Sequence, residues 1–264
     1  MPRGLIRFLR ASLLAVHVLL GLLLGGLTLT LPPLRRQVPA LRSWWLMQGV
    51  AILGIRVIAC GRPARGLMLA NHLSWVDILV LATQSRSGFV AKAEMARWPL
   101  LGWLAQMGGT EFVRRGSHDD VKRVLARMVA RLEAGESLTL FPEGTSTGST
   151  LPLRFRPRLL QAAVDAGVPV QPVALYYGTR LSAVAFVGED SFLCHLWRLL
   201  AAEPVLAEVN FLPELASRSG DCRLLADESW RAVTHALTRL ERFEREAVIT
   251  GDEGLGEPEP AGVV

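Results

Sequence analysis

The sequence predicts an α/β fold: a largely parallel, mixed sheet flanked by helices, preceded by a hydrophobic, membrane-anchoring helical segment. Short apolar runs alternate with helical segments from residue 55 onward, which is typical of strand–helix–strand units. Half of the 264 residues are apolar, and with histidine neutral, residues 11–31 carry no charge at all. The apolar content therefore divides between a membrane segment and the core of one α/β domain.

The N-terminal apolar segment, residues 11–31, has the length of a membrane-spanning helix, which needs about 20 residues. The residues after it, Pro32-Pro33-Leu34-Arg35-Arg36, do not resemble the small-residue cleavage site of a signal peptide. Arginines lie on both sides of the segment, so their distribution sets no orientation. Gly21 and Gly25 form a small-xxx-small pair that suits the docking of a second helix.

A second apolar segment, Leu41 to Leu53, carries Trp44 and Trp45 near its start. Indoles favour the headgroup level of a bilayer, so the segment is interpreted as an interfacial helix. A core helix of the globular domain fits the same pattern, because short apolar runs are ambiguous. We assign residues 1–54 to the anchor and this helix.

The globular domain is assigned to residues 55–248, and its elements follow from apolar runs, amphipathic spacing and turn residues. Gly61-Arg62-Pro63 marks a turn, and Gly135 and Gly167 each close a helix. The predicted strands are Ile55–Cys60, Leu67–Ala70, Phe89–Lys92, Thr110–Val113, Ser137–Phe141, Val170–Leu175, Ala183–Val187 and Val205–Phe211. The predicted helices are Val76–Ala82, Asp119–Glu133, Arg158–Ala166 and Leu225–Glu246.

Charge and cysteine content indicate which molecules the protein can bind. The chain has a net charge of +5, and its acidic end, residues 249–264, is rich in Gly, Glu and Pro, so we expect a disordered tail. The basic body that remains suits an anionic membrane surface, and no nucleic-acid-binding motif is present. The three cysteines are far apart and are expected to be reduced thiols on the cytoplasmic side, and no motif predicts a metal site.

The stretch NHLSWVD, residues 71–77, carries the residues best suited to chemistry. His72 follows the predicted strand 67–70, at the carboxyl end where α/β sheets place reactive groups. A sharp turn at Leu73-Ser74 would let Asp77 bind one imidazole nitrogen and leave the other as a general base. A base without a protein nucleophile suits attack by a substrate hydroxyl on an activated acyl group. Taken alone, the pair also fits a structural histidine that caps a helix.

Further blocks follow in order along the chain: AKAEM at 91–95, GTEFVRR at 109–115, FPEGT at 141–145 and VPVQPV at 168–173. Together with NHLSWVD they resemble the signature blocks of the glycerolipid acyltransferases, the 1-acylglycerol-3-phosphate acyltransferase family. Several ordered blocks are far more specific than any one motif. The resemblance covers residues 67–173 and makes 55–248 an acyltransferase domain.

The resemblance implies that His72 is the catalytic base and Asp77 its partner. It implies acyl-CoA or acyl carrier protein as acyl donor, a lysolipid as acceptor, no cofactor, and a place in the membrane with membrane lipids around it. Lys92 and Arg115 would face an anionic headgroup, although a surface ion pair equally explains Arg115. A loop-anchoring hydrogen bond equally explains Glu143. The implied substrate-binding residues are Asn71, Lys92, Arg115, Phe141, Pro142, Glu143, Gly144 and Thr145.

Two departures from the family pattern concern the acceptor. Ser146 stands where the family often has an arginine after the FPEGT block, and Glu111 replaces an aliphatic residue beside the expected anion site. The expected acceptor is 1-acylglycerol-3-phosphate, giving phosphatidic acid. A lyso-ornithine lipid or another lysolipid is compatible with both changes.

Two other functions remain as alternatives. Residues 144–148, GTSTG, satisfy the G-x-S-x-G pattern of a serine esterase, which requires a strand before Ser146 and a helix directly after it. A non-catalytic membrane scaffold would have no need to keep both His72 and Asp77. We expect the enzyme in the inner membrane, with its catalytic domain on the cytoplasmic side.

Overall fold

The computed structural model describes residues 2–30, 38–93, 102, 110–113, 118–188, 190–217 and 220–250. The strands within these ranges are β1 (Ile55–Cys60), β2 (Leu67–Ala70), β3 (Gly88–Lys92), β4 (Glu111–Val113), β5 (Leu138–Leu140), β6 (Val170–Tyr176) and β7 (Val205–Phe211). The helices are α1 (Arg3–Thr30), α2 (Val38–Ile52), α3 (Val76–Gln84), α4 (His118–Glu133), α5 (Gln161–Asp165), α6 (Leu181–Val184), α7 (Phe192–Leu199) and α8 (Cys222–Thr250).

The described strands form one sheet in the order β1-β7-β6-β2-β5-β3-β4. Strands β6 and β7 pair antiparallel, and every other neighbouring pair is parallel. The predicted fold class, a largely parallel mixed sheet flanked by helices, is confirmed. Strands β2, β5 and β6 are buried along their whole length, as expected of central strands covered on both faces.

Alternation along the strands separates two apolar layers. In β2, Met68 and Ala70 face one layer and Leu67 and Leu69 face the other. The first layer contains residues of α2, α3 and α7, and the second contains residues of α4, α5 and α8. His72 follows two residues after β2, in the middle of the sheet, and Asp77 lies in the first turn of α3.

Helices α1 and α2 pack against each other in antiparallel fashion. His17 stacks on Trp45 with ring centroids 4.7 Å apart, and the Trp45 indole N–H donates to the His17 carbonyl at 3.1 Å. A side chain on Gly21 would meet Trp45 at 2.6 Å, so this glycine is needed for close packing. Arg10 lies over Gly54 at the other end of the pair. Of the predicted pair Gly21 and Gly25, Gly21 contacts the second helix as expected.

The segment Arg3–Leu27 of α1 is long and apolar enough to cross a membrane, with a mean hydropathy of 2.0. Helix α2 uses one face as a core helix, since Leu46 and Val50 are buried in the first layer. Its other face exposes Trp44 and Met47. One side of α2 therefore packs in the core, and the opposite side carries the exposed Trp44. That α2 lies at a membrane interface stays a prediction.

The structure differs from the predicted elements at Ala183–Val187, at α7 and at the start of the predicted tail. The strand predicted at Ala183–Val187 is wrong: α6 ends at Val184, and the Phe186 N–H donates to the Leu73 carbonyl at 3.0 Å instead of to a sheet. Helix α7 was not predicted. Helix α8 continues to Thr250, two residues into the predicted tail, whose residues 251–264 lie outside the described part of the chain.

Candidate active site

The loop between β2 and α3 brings His72 and Asp77 together. The His72 Nδ1 atom lies 2.9 Å from Asp77 Oδ2, and the same oxygen accepts the backbone N–H groups of Leu73 at 2.6 Å and Ser74 at 2.8 Å. These bonds are possible because the chain turns sharply at 73–74 and Asp77 lies in the first turn of α3. The turn expected from the sequence is therefore present, and it holds the carboxylate against one nitrogen of the imidazole.

Tyr177 completes the hydrogen bonding of Asp77, and the sequence pattern gave no sign of it. Its hydroxyl donates to Asp77 Oδ1 at 2.7 Å, and both side chains are buried. Burial, reinforced by the Asp77 carboxylate, raises the pKa of the Tyr177 hydroxyl well above its usual value, so it stays a donor. Asp77 thus has bonds on both oxygens and a fixed orientation.

The imidazole of His72 is held on one side and open on the other. Its ring stacks on Phe141 with centroids 4.2 Å apart, and 19% of its side chain is exposed. With Nδ1 bonded to Asp77, Nε2 is left without a hydrogen-bond partner among the described residues. This atom is available to accept a proton from a group that approaches from outside.

Glu143 joins the backbone at His72 to the backbone at Leu153. One carboxylate oxygen accepts the His72 backbone N–H at 2.7 Å, and the other accepts the Leu153 N–H at 2.8 Å. Burial raises the pKa of this carboxyl to about 7, against the lowering effect of the two backbone hydrogen bonds. The loop-anchoring interpretation of Glu143 describes its contacts in this structure, and a contact with the acceptor stays a prediction.

The other motif residues near His72 shape the loops. The Asn71 amide donates to the Leu175 carbonyl at 2.9 Å and accepts the Leu175 N–H at 2.7 Å, which joins β2 to β6. The Pro142 carbonyl accepts the Arg156 N–H at 3.0 Å. Gly144 has φ +74°, a conformation that favours glycine, and Thr145 follows it in the same turn. Substrate binding by these four motif residues stays a prediction.

The two expected cations of the headgroup site are less fully described. Lys92 ends β3 opposite Val113 of β4, but its side chain lies outside the described structure, as does all of Arg115. The Glu111 carboxylate, expected beside them, lies against α4, where it accepts a bond from Arg127 at 2.7 Å and one from Arg131 at 3.4 Å. Its charge is therefore paired within the fold.

His195 lies in the core and contacts Trp75, a residue of the NHLSWVD stretch. It is fully buried, and its Nδ1 accepts the indole N–H of Trp75 at 3.0 Å. Its Nε2 lies 3.0 Å from the Val184 carbonyl and 3.1 Å from that of Ala185. Burial lowers the pKa of this imidazole, which keeps it neutral and able to accept from Trp75.

The loop around Ser146 lacks the geometry of a nucleophile elbow. Residues 147–157 are turns and extended chain without a helix, and β5 ends at Leu140, six residues before the serine. The Ser146 hydroxyl donates to the Phe186 carbonyl. The pattern GTSTG is therefore a sequence coincidence.

A buried carboxylate that orients an imidazole, at the carboxyl end of a central strand, is the arrangement of a general base in an α/β enzyme. A family model described as "Acyltransferase" matches residues 60–176. The chain belongs to this acyltransferase family.

Individual relatives carry lipid-related names. The chain is 40% identical over 210 residues to the lyso-ornithine lipid O-acyltransferase of Pseudomonas aeruginosa, covering 78% of this chain and 80% of that protein. It is 36% identical over 187 residues to the 1-acyl-sn-glycerol-3-phosphate acyltransferase of Neisseria gonorrhoeae, covering 66% and 72%. The fold resembles that of the 1-acyl-sn-glycerophosphate acyltransferase of Thermotoga maritima, with a TM-score of 0.68, 20% identity, and coverage of 89% and 98%.

Proposed function

We propose that this protein transfers a fatty acyl chain from an acyl thioester to the free hydroxyl of a lysolipid. The observation that carries the proposal is the pair formed by His72 and Asp77, 2.9 Å apart, with His72 Nε2 open to an incoming group. The names of the relatives, all acyltransferases that act on lysolipids by their titles, support the choice of acceptor class.

In this proposal, the open Nε2 atom of His72 acts as the general base. The acceptor hydroxyl donates a hydrogen bond to His72 Nε2 and attacks the thioester carbonyl carbon, so that a C–O bond forms and the proton moves to the imidazole. The C–S bond then breaks, and the proton passes to the leaving thiolate. Asp77 stabilises the imidazolium between these steps, and general-base catalysis contributes a factor on the order of 10² to 10⁴.

The donor in this proposal is acyl-CoA or an acyl carrier protein, and the thioester supplies the activation, so no cofactor takes part. Phe141 provides an apolar surface behind the imidazole, and Glu143 fixes the backbone of His72. Lys92 and Arg115 are proposed to face the acceptor's headgroup. The domain would act on the cytoplasmic side of the inner membrane, with α1 as its anchor.

Two acceptors are in question. The expectation from the sequence is 1-acylglycerol-3-phosphate, which needs cations for its phosphate. Two observations favour a lyso-ornithine lipid: Ser146 replaces an arginine, and the higher identity over the longer span is to a lyso-ornithine lipid acyltransferase. The two acceptors differ in headgroup charge. The rates of acyl transfer to each, measured with the same membranes, therefore show which headgroup the site prefers.

The test compares wild type with His72→Ala in membranes supplied with labelled acyl thioester and either lysolipid. We expect transfer by wild type and a loss on the order of 10² to 10⁴ or more in the variant, because the base is gone. Flotation with vesicles should be unchanged, which shows that the variant still associates with membranes. Wild-type rates in His72→Ala would refute the mechanism, and turnover of neither lysolipid by wild type would refute the acceptor class.

A further inference from the structure

Helix α7 has a buried face and an exposed apolar face. His195 and Leu199, four residues apart, are fully buried, whereas Leu193 and Trp197, also four residues apart, expose 71% and 50% of their surface. Large exposed side chains placed side by side on a short helix mark an interaction surface more often than isolated ones do.

The exposed face of α7 continues into α1. A groove of about 590 Å³ runs between the two helices, lined by Leu14 and Val18 of α1 and by Leu196 and Trp197 at α7. The outward side of α1 itself exposes a row of large apolar residues: Phe8, Val16, Leu19 and Leu23. Groove, α7 and α1 therefore form one apolar surface.

Basic groups border this surface where α7 ends. The Arg7 guanidinium lies 5.1 Å from the centre of the Trp197 ring, and Arg10 donates to the Ala202 carbonyl at 2.8 Å. A tryptophan beside arginines at the edge of an apolar surface suits the boundary between headgroups and acyl chains, and anionic headgroups complement the arginines. The carboxylates at this edge, Glu203 and Asp190, are paired with arginines, so the edge stays basic and favours an anionic lipid surface over another protein.

We propose that α7 is a second membrane-docking element, which enters the headgroup region through Leu193 and Trp197 beside α1 and takes lipid acyl chains in the groove. The proposal rests on the proposed function, whose acceptor is a membrane lipid. The buried face of the same helix holds His195, which accepts the indole N–H of Trp75, three residues after His72. Docking through α7 therefore places the catalytic loop at a fixed height above the bilayer.

The free thiol of Cys194, exposed between Leu193 and His195, allows a direct test. A polarity-sensitive fluorophore is attached to Cys194 in a Cys60→Ser/Cys222→Ser background, and the protein is mixed with phosphatidylcholine–phosphatidylglycerol vesicles. The control carries the label at Glu228→Cys with Cys194→Ser, on an exposed position of α8, which packs against the opposite face of the sheet.

We expect a blue shift and quenching by brominated phospholipids at position 194, and neither at position 228. A label at 194 that stays in water while the protein floats with vesicles would overturn the proposal, as would a failure to float. A shift that appears without vesicles and grows with protein concentration would identify a second copy as the occupant, and would also overturn it.

Substitution tests the two side chains directly. Leu193→Glu/Trp197→Glu should remove the blue shift and the quenching of the label at Cys194, because two large apolar side chains no longer leave water, while α1 still holds the protein on the vesicles. Leu224→Glu, at an exposed position of α8, should leave both signals unchanged. Equal signals in all three proteins would contradict the proposal. The signals are measured without substrate, so a protein that docks but transfers no acyl group would refute the proposed function alone.

Discussion

At the scale of single residues, the carboxylate of Asp77 is held more tightly than the imidazole that it orients. Oδ2 accepts from His72, Leu73 and Ser74, and Oδ1 accepts from Tyr177. A buried carboxylate with this many donors keeps one orientation, and it therefore fixes which nitrogen of His72 is bonded to Asp77 and which is left open. His72 needs this support because its own side chain is partly exposed.

Tyr177→Phe tests whether the hydrogen bond from Tyr177 helps to orient Asp77. The change keeps the ring and removes the donor to Asp77 Oδ1, and hydrogen bonds to charged groups contribute about 1.5–3 kcal/mol, so we expect kcat to fall about tenfold or more with KM little changed. Tyr176→Phe is the matched control, because its hydroxyl lies on the other side of the sheet and donates to Glu244 at 2.6 Å. Equal kcat values in the two variants would show that Tyr177 has no part in orienting Asp77.

Ser146→Ala distinguishes acyl transfer by a base from catalysis by a serine nucleophile. Since the Ser146 hydroxyl only donates to the Phe186 carbonyl, the variant should keep more than about a tenth of wild-type kcat, whereas loss of a nucleophile costs several orders of magnitude. Initial rates of acyl transfer provide the measurement. A near-complete loss in this variant, with His72 intact, would favour the esterase mechanism.

At the scale of elements, β2 can begin where it does only because the chain at Gly66 lies very close to the chain at Pro169. The Gly66 carbonyl accepts the Leu138 N–H at 3.0 Å just before β2, and its φ of +116° and a neighbouring carbonyl leave no room for a side chain. A Cβ atom here would lie 2.5 Å from the Pro169 oxygen, which is backbone and cannot turn away. The start of β2, and with it the position of His72, depends on a glycine.

Gly66→Ala should therefore lower the free energy of unfolding by more than about 2 kcal/mol, from backbone strain together with the clash. Gly135→Ala is the matched control. The φ of Gly135 is also positive, at +81°, but no atom lies close to the position of an added Cβ. Its expected cost is about 1–2 kcal/mol, from the left-handed conformation alone. Denaturant unfolding in detergent measures both, and a smaller loss for Gly66→Ala than for Gly135→Ala would contradict this account.

At the scale of the whole molecule, we expect the buried Glu143 to make the free energy of unfolding depend on pH. The pKa of its carboxyl is about 7 in the fold against an ordinary value of 4.5, so between these values the folded protein keeps a proton that the unfolded chain has lost. The folded state then binds more protons, and stability falls as pH rises through this window. The contribution is fully present below about pH 4.5 and is lost above about pH 7.

Glu143→Gln should reduce this slope, which can reach about 1.4 kcal/mol per pH unit for one group. Unfolding free energies measured from about pH 5 to about pH 8 give the difference between the two curves, in which other titrating groups cancel. Glu228→Gln, a change of an exposed carboxylate, controls for the loss of one charge. Identical slopes in wild type and Glu143→Gln would show that Glu143 does not titrate in this range.

Local sequence patterns were enough to predict the long apolar helix, the central strands, the sharp turn that joins His72 to Asp77, and the family signature. The distant residues that complete the site became visible only in the folded chain. Tyr177 lies 100 residues from Asp77 in the chain and His195 lies 120 from Trp75, so no local spacing relates them. The false strand at 183–187 has the same cause, because whether an apolar run pairs in a sheet depends on which partner the fold brings beside it.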